Sequence, residues 1–413
     1  MKKILFISSF PPSDYGARPK VFMNYMKTLA LNHNCEISLI IIGANNYKKH
    51  HFIKNYYFIK KPSFITQLLN ILYNALILRN LPIQSCLYWS KINKIKIDDL
   101  INQLNPDVVF CEMIRTALYG KNLKSKTVLD MADLLSRRYY QQMNEKDKIT
   151  HVAGQYEKSL NKFVNKVINY PAIQNKILEQ EYKLLKRFEY SMPSLFNAVT
   201  LVSLKEVQML KDASLKENIY WLPNGVDISI IPKTRKLLVN NKTITFIGIL
   251  DNPHNEHGVL HFLDNIYPHI LNKMPNVKIQ ILGRNPTAII LDKTDKMNNI
   301  LVPGYVEDLD EYIQKSNLTI IPLKVGSGVK TKIFESLKYG IPVVSTSLGA
   351  EGIIPILKKF IFIKDNVSDF AETCVRILNN DVEIKEIQNS TPQIINSYYS
   401  WNNIGARLYN IIN

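Results

Sequence analysis

The stretch from Val325 to Gly340, VGSGVKTKIFESLKYG, constrains the fold of this chain more than any other part of the sequence. An apolar run, Leu318–Leu323, comes before its two glycines, and a second apolar run, Ile341–Ser345, follows directly after Gly340. A buried strand, a glycine-rich turn, an amphipathic helix and another buried strand make a βαβ unit. Backbone N–H groups in such a loop, with a lysine at the helix start, can bind a phosphate group.

The helix of this unit is expected to carry two charged residues on one face. Lys332 and Glu335 are three positions apart, whereas apolar residues point toward the sheet: Val329, Ile333, Phe334 and Leu337. A cation suits a phosphate, and a carboxylate suits vicinal hydroxyl groups, so the pair fits a nucleotide-sugar. The alternative role of Glu335 is a salt bridge to Lys332 or Lys338.

Two common nucleotide-binding motifs are missing. A P-loop requires a lysine directly after its last glycine, but here Val329 separates Gly328 from Lys330, and Leu323 stands where the first glycine belongs. No G-x-G-x-x-G follows an early strand with an acidic residue about twenty positions later. The sequence therefore disfavours a P-loop NTPase and a nicotinamide-dependent enzyme.

Length and composition indicate a globular protein of two domains. The chain has 413 residues, 46% of them hydrophobic and 21% charged. The four cysteines are scattered and form no C-x-x-C pair, which fits a reducing compartment and no zinc site. The first apolar run after Met1 is too short for a signal peptide, and we interpret it as the first strand. The window Phe64–Leu78 is too short and too polar to span a bilayer, so we expect a soluble or peripheral protein.

The positive charge is unevenly distributed. The net charge is +17, and no Asp or Glu occurs from Ile37 to Ile97. In that region lysines and one arginine are mixed with aromatic residues: Lys48, Lys49, Lys54, Lys60, Lys61, Arg79, Lys91, Lys94 and Lys96 with Tyr47, Phe52, Tyr56, Tyr57, Phe58, Phe64, Tyr73, Tyr88 and Trp89. Such a mixture is typical of contact with an anionic membrane surface. The alternatives are a solvated lysine-rich face and, less favoured, nucleic acid.

Strand-like and helix-like segments alternate twice along the chain. The candidate strands are Ile4–Ser9, Glu36–Ile42, Val108–Cys111, Thr127–Met131, Ala198–Ser203, Ile219–Leu222, Thr243–Gly248, Val277–Leu282, Ile300–Val302, Leu318–Leu323, Pro342–Thr346 and Phe360–Ile363. Amphipathic patterns at Val21–Leu31 and from about Gln155 to Phe196 predict helices. Continuously apolar strands are typical of parallel sheets covered on both faces. We therefore predict two doubly wound α/β domains, joined near Asn224–Lys242 and facing each other across a cleft.

Several motifs together resemble those of retaining family-4 glycosyltransferases (glycosyl transferases group 1), which have the GT-B architecture of two Rossmann-like domains. They are Ile320–Glu335, Gly340–Ile353, Pro223–Asp227, Phe246–Gly248, Leu282–Arg284, Gly304–Asp308 and Tyr399–Trp401. The resemblance implies an acceptor-binding domain over residues 1–225, with a helix at 396–413 crossing back to it, and a donor-binding domain over 226–395. Asp130–Asp133 and the basic helix through 181–196 resemble an exopolysaccharide-assembly branch.

The resemblance also implies roles for individual residues. Lys332 matches the lysine at the donor pyrophosphate, and Glu335 matches the carboxylate that accepts hydrogen bonds from the ribose. Tyr305 and Val306 stand where the backbone reads the base, and Gly16 lies in the first-domain glycine loop. The remaining donor-site candidates are Arg18, Gly248, Arg284, Ser327, Gly328, Lys330 and Thr331.

This chain departs from the family pattern at three places. Ser327 stands where many relatives carry a sugar-binding glutamate, so the Gly326–Val329 backbone would take over that contact. After Gly248 the loop ILDNPHN lacks the usual Arg or Lys, which leaves Lys330, Lys332 and Arg284 to supply positive charge. The common first-domain histidine is absent near 110–118, where the sequence has Glu112 and Arg115.

A few other residues have two interpretations. Arg18 either binds a phosphate or lies on the surface, and Arg284 either binds the donor or caps its turn. Asp130 and Asp133 follow a buried strand, where either could act as an acceptor base or cap a helix. We select Asp133, with Lys332, as the catalytic candidates. His254 and His257 form a weak metal pair without a third ligand, and no D-x-D motif occurs, so we expect no metal cofactor.

The sequence thus predicts an enzyme that transfers a hexose from a nucleoside diphosphate sugar, its co-substrate, to a lipid-linked surface glycan. Retention and metal independence are part of this expectation. The partners would be the donor, a glycan or glycolipid acceptor and an anionic membrane surface, with no nucleic acid. The location would be cytoplasmic, peripheral at the inner face of the membrane. The alternatives are a nucleotide-sugar epimerase of the same fold and a non-catalytic sugar-nucleotide-binding partner.

Overall fold

A computed structural model describes residues 1–14, 17–44, 47–144, 171–228, 242–326, 328–380 and 384–413. The chain forms two compact units. Unit 1 comprises Met1–Gly225 together with Trp401–Asn413, and unit 2 comprises Val226–Ser400. Unit 2 is therefore one continuous segment inserted into unit 1.

Unit 1 is built on a parallel sheet of seven described strands, in the order β3-β2-β1-β4-β5-β6-β7. The strands are β1 Lys3–Ser8, β2 Glu36–Ile42, β3 Asn55–Ile59, β4 Val108–Glu112, β5 Lys126–Ala132, β6 Ala198–Leu201 and β7 Ile219–Trp221. The strand order reverses between β1 and β4, which makes the carboxyl ends of these strands the switch point of this sheet.

Helices cover both faces of this sheet. They are α1 Ala17–His33, α2 Phe64–Asn70, α3 Ile83–Cys86, α4 Lys91–Leu104, α5 Met113–Thr116, α6 Leu135–Asn144, α7 Pro171–Ser191 and α8 Leu204–Ser214. A π-helical segment, Ile71–Ile77, continues α2, and short 3₁₀ turns occur at Ala117–Gly120 and Met192–Ser194. Alternate residues of β1 enter opposite cores: Leu5 and Ile7 on one face, and Ile4 and Phe6 on the other.

Unit 2 is built on a second parallel sheet, of six described strands in the order β10-β9-β8-β11-β12-β13. These are β8 Thr243–Ile247, β9 Lys278–Leu282, β10 Ile300–Gly304, β11 Leu318–Ile321, β12 Val343–Ser345 and β13 Ile361–Ile363. The order reverses between β8 and β11, so the switch point of unit 2 lies beyond the carboxyl ends of these two strands.

The helices of unit 2 begin with α9 Pro253–His261, which a π-helical segment, Phe262–Ile266, connects to α10 Tyr267–Lys273. The others are α11 Ala288–Thr294, α12 Leu309–Gln314, α13 Lys332–Leu337, α14 Pro355–Lys358, α15 Val367–Leu378 and α16 Lys385–Tyr399. A last helix, α17 Trp401–Ile412, belongs to unit 1. On α13, Ile333, Phe334 and Leu337 are fully buried, as the sequence pattern predicts.

The prediction of two doubly wound α/β domains is confirmed, and each candidate strand corresponds to an observed one. One strand was missed. Strand β3 is an aromatic-rich edge strand whose side chains are mostly only half-buried, and its sequence was interpreted as part of a basic aromatic surface. The first part of the helical pattern predicted from about 155 lies outside the described residues, and its second part forms α7.

The chain passes between the units at two neighbouring pairs of residues. In unit 2, the Val226 N–H donates to the Tyr399 carbonyl at 2.7 Å. In unit 1, a Cβ at Gly225 would overlap the indole ring of Trp401. The Pro223–Asp227 motif therefore needs its glycine because the Tyr399–Trp401 motif lies directly against it.

Candidate active site

Lys332, the first residue of α13, lies at the switch point of unit 2. Its Nζ donates a 2.7 Å hydrogen bond to Oδ1 of Asn255 and lies 4.3 Å from the centroid of the Phe246 ring. Among the described residues it has no carboxylate partner within ion-pair distance. Burial, and then the charge of Lys330, lower the pKa of Lys332 to about 7. An anion bound here would find an ammonium group that no carboxylate neutralises.

Asn255 orients this lysine. The side chain is buried, and its Nδ2 donates to the Ile249 carbonyl at 3.0 Å, so that its Oδ1 is presented to Lys332. A Cβ at Gly248 would lie 2.8 Å from the Asn255 amide group. Gly248, predicted as a donor-binding residue, thus has a clear structural reason to be a glycine. Asn255 itself was not selected from the sequence, although it ends the unusual loop after Gly248.

The loop after β11 approaches the same place. Gly326 and Gly328 have φ angles of +108° and +77°, which residues with a Cβ rarely adopt. A Cβ at Gly326 would lie 3.1 Å from the Cβ of His254 at the start of α9. Lys330 is buried, and its Nζ donates to the Gly328 carbonyl at 2.7 Å. Thr331 is exposed, and Ser327 lies outside the described residues.

Glu335 is engaged in an ion-pair network. Its Oε2 lies 2.8 Å from Nζ of Lys338, which also lies 2.8 Å from Oδ1 of Asp310. Burial opposes the charge on Lys338, but Glu335 and Asp310 outweigh it and raise the pKa of Lys338 above its ordinary value. The salt bridge considered for Glu335 is therefore present, with Lys338. This bridge fixes the carboxylate predicted to receive ribose hydroxyls.

The other unit 2 candidates follow β9 and β10. Arg284 is exposed, and its carbonyl accepts from the Leu250 N–H at 3.0 Å. Tyr305 is 63% exposed and follows Gly304, which has a φ of +76°. Val306 is half-buried. These residues lie at the same carboxyl edge of the sheet as Lys332, although no contact joins them to it among the contacts described.

In unit 1, Arg18 and Asp130 form an internal ion pair of 2.6 Å, and Asp130 is fully buried. The Thr200 hydroxyl and the Ala132 N–H also donate to Asp130, at 3.0 and 3.1 Å. Burial opposes the charge on Arg18, but Asp130 and its neighbours raise the pKa of Arg18 above its ordinary value. Within the described part of the chain, Nε and Nη1 of Arg18 make no hydrogen bond. Gly16, the neighbouring candidate, lies outside the described residues.

Asp133 forms an ion pair with Arg138 and does not cap the helix that follows it. Instead, Glu189 of α7 accepts from the backbone N–H groups of Leu135 and Ser136, at 2.7 and 3.2 Å. Burial raises the pKa of Glu189 to about 8. Sequence reasoning missed this cap because the two partners are far apart along the chain.

Glu112 ends β4, at the switch point of unit 1. Ser9 donates to its Oε2 at 3.1 Å, whereas Oε1 is buried and makes no hydrogen bond within the described residues. Burial raises the pKa of Glu112 to about 7, although Arg18 and Arg115 act in the opposite direction. From the sequence, Glu112 is notable only because it lies in the region, 110–118, where related enzymes have a histidine.

No group of three or more His, Cys, Asp or Glu residues with a metal-binding arrangement occurs within the described ranges. In the same part of the chain, no helix combines the length and apolarity needed to cross a bilayer. Metal independence and membrane contact stay predictions.

The comparisons with known proteins agree with this fold. Residues 241–380, which lie in unit 2, match the family model "Glycosyl transferases group 1". A curated relative, an uncharacterized 44.6 kDa protein in the cps region of Klebsiella pneumoniae, is 22% identical over 431 residues, covering 99% of each chain.

Solved structures show the same fold over the whole chain. The sucrose-phosphate synthase of Thermosynechococcus elongatus has a TM-score of 0.65 at 10% identity and covers 100% of this chain and 98% of its own. HepE of Anabaena, in complex with UDP and glucose, has a TM-score of 0.61 at 11% identity, with 99% of both chains covered. A TarM variant of S. aureus, in complex with fondaparinux, α-GlcNAc-glycerol and UDP, has a TM-score of 0.64 at 13% identity, with both chains fully covered. The predicted GT-B fold is confirmed.

Proposed function

We propose that this protein is a glycosyltransferase that transfers a hexose from a nucleoside diphosphate sugar to a lipid-linked surface glycan, with retention and without a metal ion. The class is supported by the match to glycosyl transferases group 1 and by the GT-B fold. The single observation that carries the donor assignment is the ammonium of Lys332, held by a neutral amide at the switch point of unit 2.

The site suits a departing diphosphate. When a glycosidic bond to a diphosphate breaks, negative charge grows on the phosphate oxygens, and fixed donors in a partly buried site stabilise it most. Lys332 and N–H groups of the Gly326–Val329 loop would supply such donors. Because the pKa of Lys332 is about 7 in the free protein, binding a diphosphate favours its protonated form. Binding of the diphosphate would thus increase the charged fraction of Lys332.

The remaining donor contacts follow the resemblance. Glu335, fixed by Lys338, would accept hydrogen bonds from the ribose, and the backbone at Tyr305 and Val306 would read the base. Lys330, Thr331 and Arg284 would add positive charge and hydrogen-bond donors near the phosphates. In unit 1, Gly16 and Arg18 would approach the donor, and Asp133 would be the acceptor base.

The acceptor assignment is supported by a similar curated protein, and the first donor to test follows from similar solved structures. The curated relative comes from a cps region, which agrees with a role in polysaccharide assembly. The HepE and TarM complexes both contain UDP, so a UDP-sugar is the first donor to test. We further propose that the protein works at the inner face of the cytoplasmic membrane, where lipid-linked glycans are extended.

A thermal-shift screen against UDP-, GDP- and ADP-sugars tests donor binding. A ligand at a hundred times its dissociation constant stabilises the folded protein by about 2.7 kcal/mol. With the donor identified, we expect Lys332→Ala to lower turnover at least about 100-fold, and Lys273→Ala, an exposed lysine of unit 2, to leave it unchanged. If folded Lys332→Ala had the same turnover as the original chain, the proposal would be contradicted.

Product analysis separates the alternatives. Release of the diphosphate with a glycosylated acceptor supports transfer. Conversion of the donor to an isomeric sugar without an acceptor would instead show an epimerase. Donor binding without diphosphate release over a panel of acceptors would show a binding partner.

A further inference from the structure

The segment from Phe64 to Leu78 exposes an unusual amount of apolar surface. Nine large hydrophobic side chains along it are between 43 and 70% exposed: Phe64, Ile65, Leu68, Leu69, Leu72, Tyr73, Leu76, Ile77 and Leu78. Isolated exposed apolar residues are common on soluble proteins, but a continuous set of this size marks an interaction surface. We refer to these nine residues as the apolar stripe.

The apolar stripe lies along one side of a continuous helical segment. Eight of its nine members form four adjacent pairs that repeat every four residues, from Phe64 and Ile65 to Leu76 and Ile77, and Leu78 follows the last pair. A regular α-helix of 3.6 residues per turn would slowly rotate such pairs around its axis. Here the second half, Ile71–Ile77, is π-helical, with its wider i to i+5 hydrogen bonds, for example from the Leu78 N–H to the Tyr73 carbonyl at 2.8 Å. The wider turn helps to keep the later pairs on the same side.

The opposite side of the helical segment is attached to the rest of unit 1. It carries the polar side chains of the segment, together with Ile71 and Ala75, which pack into a small apolar cluster. Nδ2 of Asn70 donates to the Trp89 carbonyl at 2.8 Å, and Nε2 of Gln180 donates to the Ala75 carbonyl at 2.7 Å. Ala75 is fully buried. In a surface helix of a soluble protein the apolar side faces the core and the polar side faces water. The helical segment 64–78 has the opposite orientation, because its side-chain amides face the protein and its leucines face outward.

Basic residues stand at both ends of the apolar stripe. Lys60 and Lys61 precede it, and Arg79 follows it directly. Nη1 of Arg187, from the neighbouring helix α7, donates to the Arg79 carbonyl at 3.4 Å, which adds a further positive charge at this end. No Asp or Glu occurs anywhere from Ile37 to Ile97. The surface therefore combines an apolar centre with a positively charged border.

We propose that the apolar stripe inserts into the interfacial layer of an anionic lipid bilayer, with the helical segment lying in the membrane plane. At a rise of about 1.5 Å per residue its fourteen or so residues extend roughly 20 Å, enough to lie in an interface but not to cross a membrane. Leucine, isoleucine and aromatic side chains enter the acyl boundary, while the lysines and arginines meet phosphate headgroups. A nucleic acid would use the charges but not the nine apolar side chains. The inference depends on unit 1 alone and is independent of the proposed transferase activity.

Vesicle co-sedimentation of the full chain, without donor or acceptor, tests the inference. The vesicles contain phosphatidylethanolamine with phosphatidylglycerol, or phosphatidylcholine alone. The stripe variant replaces one line of exposed residues by glutamine: Ile65→Gln, Leu69→Gln, Tyr73→Gln and Ile77→Gln. The control variant replaces four scattered exposed residues by glutamine: Leu215→Gln, Ile289→Gln, Leu301→Gln and Ile356→Gln.

We expect the original chain and the control variant to bind the anionic vesicles, with at least tenfold weaker binding to phosphatidylcholine. The stripe variant should lose at least tenfold of its affinity for the anionic vesicles while keeping its melting temperature, because the replaced side chains are exposed. Equal vesicle binding by the stripe variant and the control would overturn the proposal. A second result would also overturn it: the original chain binds neither kind of vesicle and forms a dimer, whereas the stripe variant is a monomer. The apolar stripe would then bind a second copy of the chain.

A fluorescent label gives an independent measurement. The four native cysteines are buried, so a cysteine introduced by Leu69→Cys can be labelled selectively with an environment-sensitive dye. Anionic vesicles should shift its emission to the blue, whereas a label at Leu215→Cys should not respond. An unchanged spectrum at position 69 in vesicle-bound protein would exclude insertion.

Discussion

Lys332 and Asn255 are 77 positions apart in the chain, and a 2.7 Å hydrogen bond joins them at the carboxyl edge of the second sheet. The acceptor is a neutral amide, so the bond orients the ammonium without neutralising it. A carboxylate at the same place would make a stable ion pair and an inactive anion site. The amide therefore leaves the charge of the lysine available to a ligand.

Donor affinity should depend on pH through Lys332. Its pKa is lowered to about 7, so above that pH the free protein must take up a proton to bind a diphosphate through an ammonium. We expect the dissociation constant to rise about tenfold per pH unit above pH 7, until the pKa of the bound form is reached. Titration calorimetry between pH 6 and 9 measures this. Lys332→Met should bind more weakly and lose the dependence, and a flat profile in the unmodified chain would rule out the lysine as the anion ligand.

Asn255→Asp should weaken donor binding in the folded protein. The new carboxylate would pair with Lys332 and repel a diphosphate, so we expect at least a tenfold loss of affinity, about 1.4 kcal/mol. The variant also loses the hydrogen bond from Nδ2 to the Ile249 carbonyl, so affinity is measured at a temperature where thermal denaturation shows it folded. Asn265→Asp, at an exposed position of the same unit, is the matched control. Wild-type affinity in Asn255→Asp would show that the donor phosphates bind elsewhere.

Glu189 should make the folded state less stable as the pH rises. Its pKa in the folded protein is raised to about 8, so between about pH 4.5 and 8 the native state keeps a proton that the unfolded chain has released. One such proton lowers the free energy of unfolding by about 1.4 kcal/mol per pH unit. Glu189→Gln should therefore gain stability relative to the original chain from pH 5 to 8, as measured by thermal denaturation. Glu179→Gln, an exposed change on the same helix, should show no such gain. A difference in stability between Glu189→Gln and the original chain that stays constant with pH would contradict the raised pKa of Glu189.

Substitutions of Arg18 and Asp130 should have strongly non-additive effects on the free energy of unfolding. Removing the arginine leaves a buried carboxylate, so Arg18→Met should cost about 3 kcal/mol in the free energy of unfolding. Adding Asp130→Asn should recover at least half of this loss, because Thr200 and the Ala132 N–H still have their acceptor. Urea denaturation of the two single variants and the double variant gives the coupling energy. Additive losses would mean that the pair contributes little.

Much of the fold could be predicted because parallel strands buried on both faces leave a strong local signal. The run from Leu318 to Gly340 identifies a βαβ unit, and its lysine lies at the switch point as expected. The partner of that lysine could not be predicted, since nothing in the local sequence distinguishes Asn255 from the other asparagines of the chain. Only the close approach that Gly248 permits brings the amide to Lys332.

The segment 64–78 shows a different limit. From the sequence it is an apolar window interrupted by polar residues, which is equally compatible with a buried helix and with a surface one. Its pattern does not say which side attaches to the protein. That is decided by distant acceptors and donors such as the Trp89 carbonyl and Gln180, which bind the polar side and turn the leucines outward.

The adjacent crossing points at Gly225–Val226 and Ser400–Trp401 have an evolutionary consequence. Because the hydrogen bond from Val226 to Tyr399 holds the two ends of unit 2 together, this unit can be exchanged as one segment by recombination at two sites, without opening either sheet. Gene shuffling between related chains would then combine one form of unit 1 with many forms of unit 2. Such chimaeras would have to preserve Gly225 and Trp401, which pack against each other at the junction.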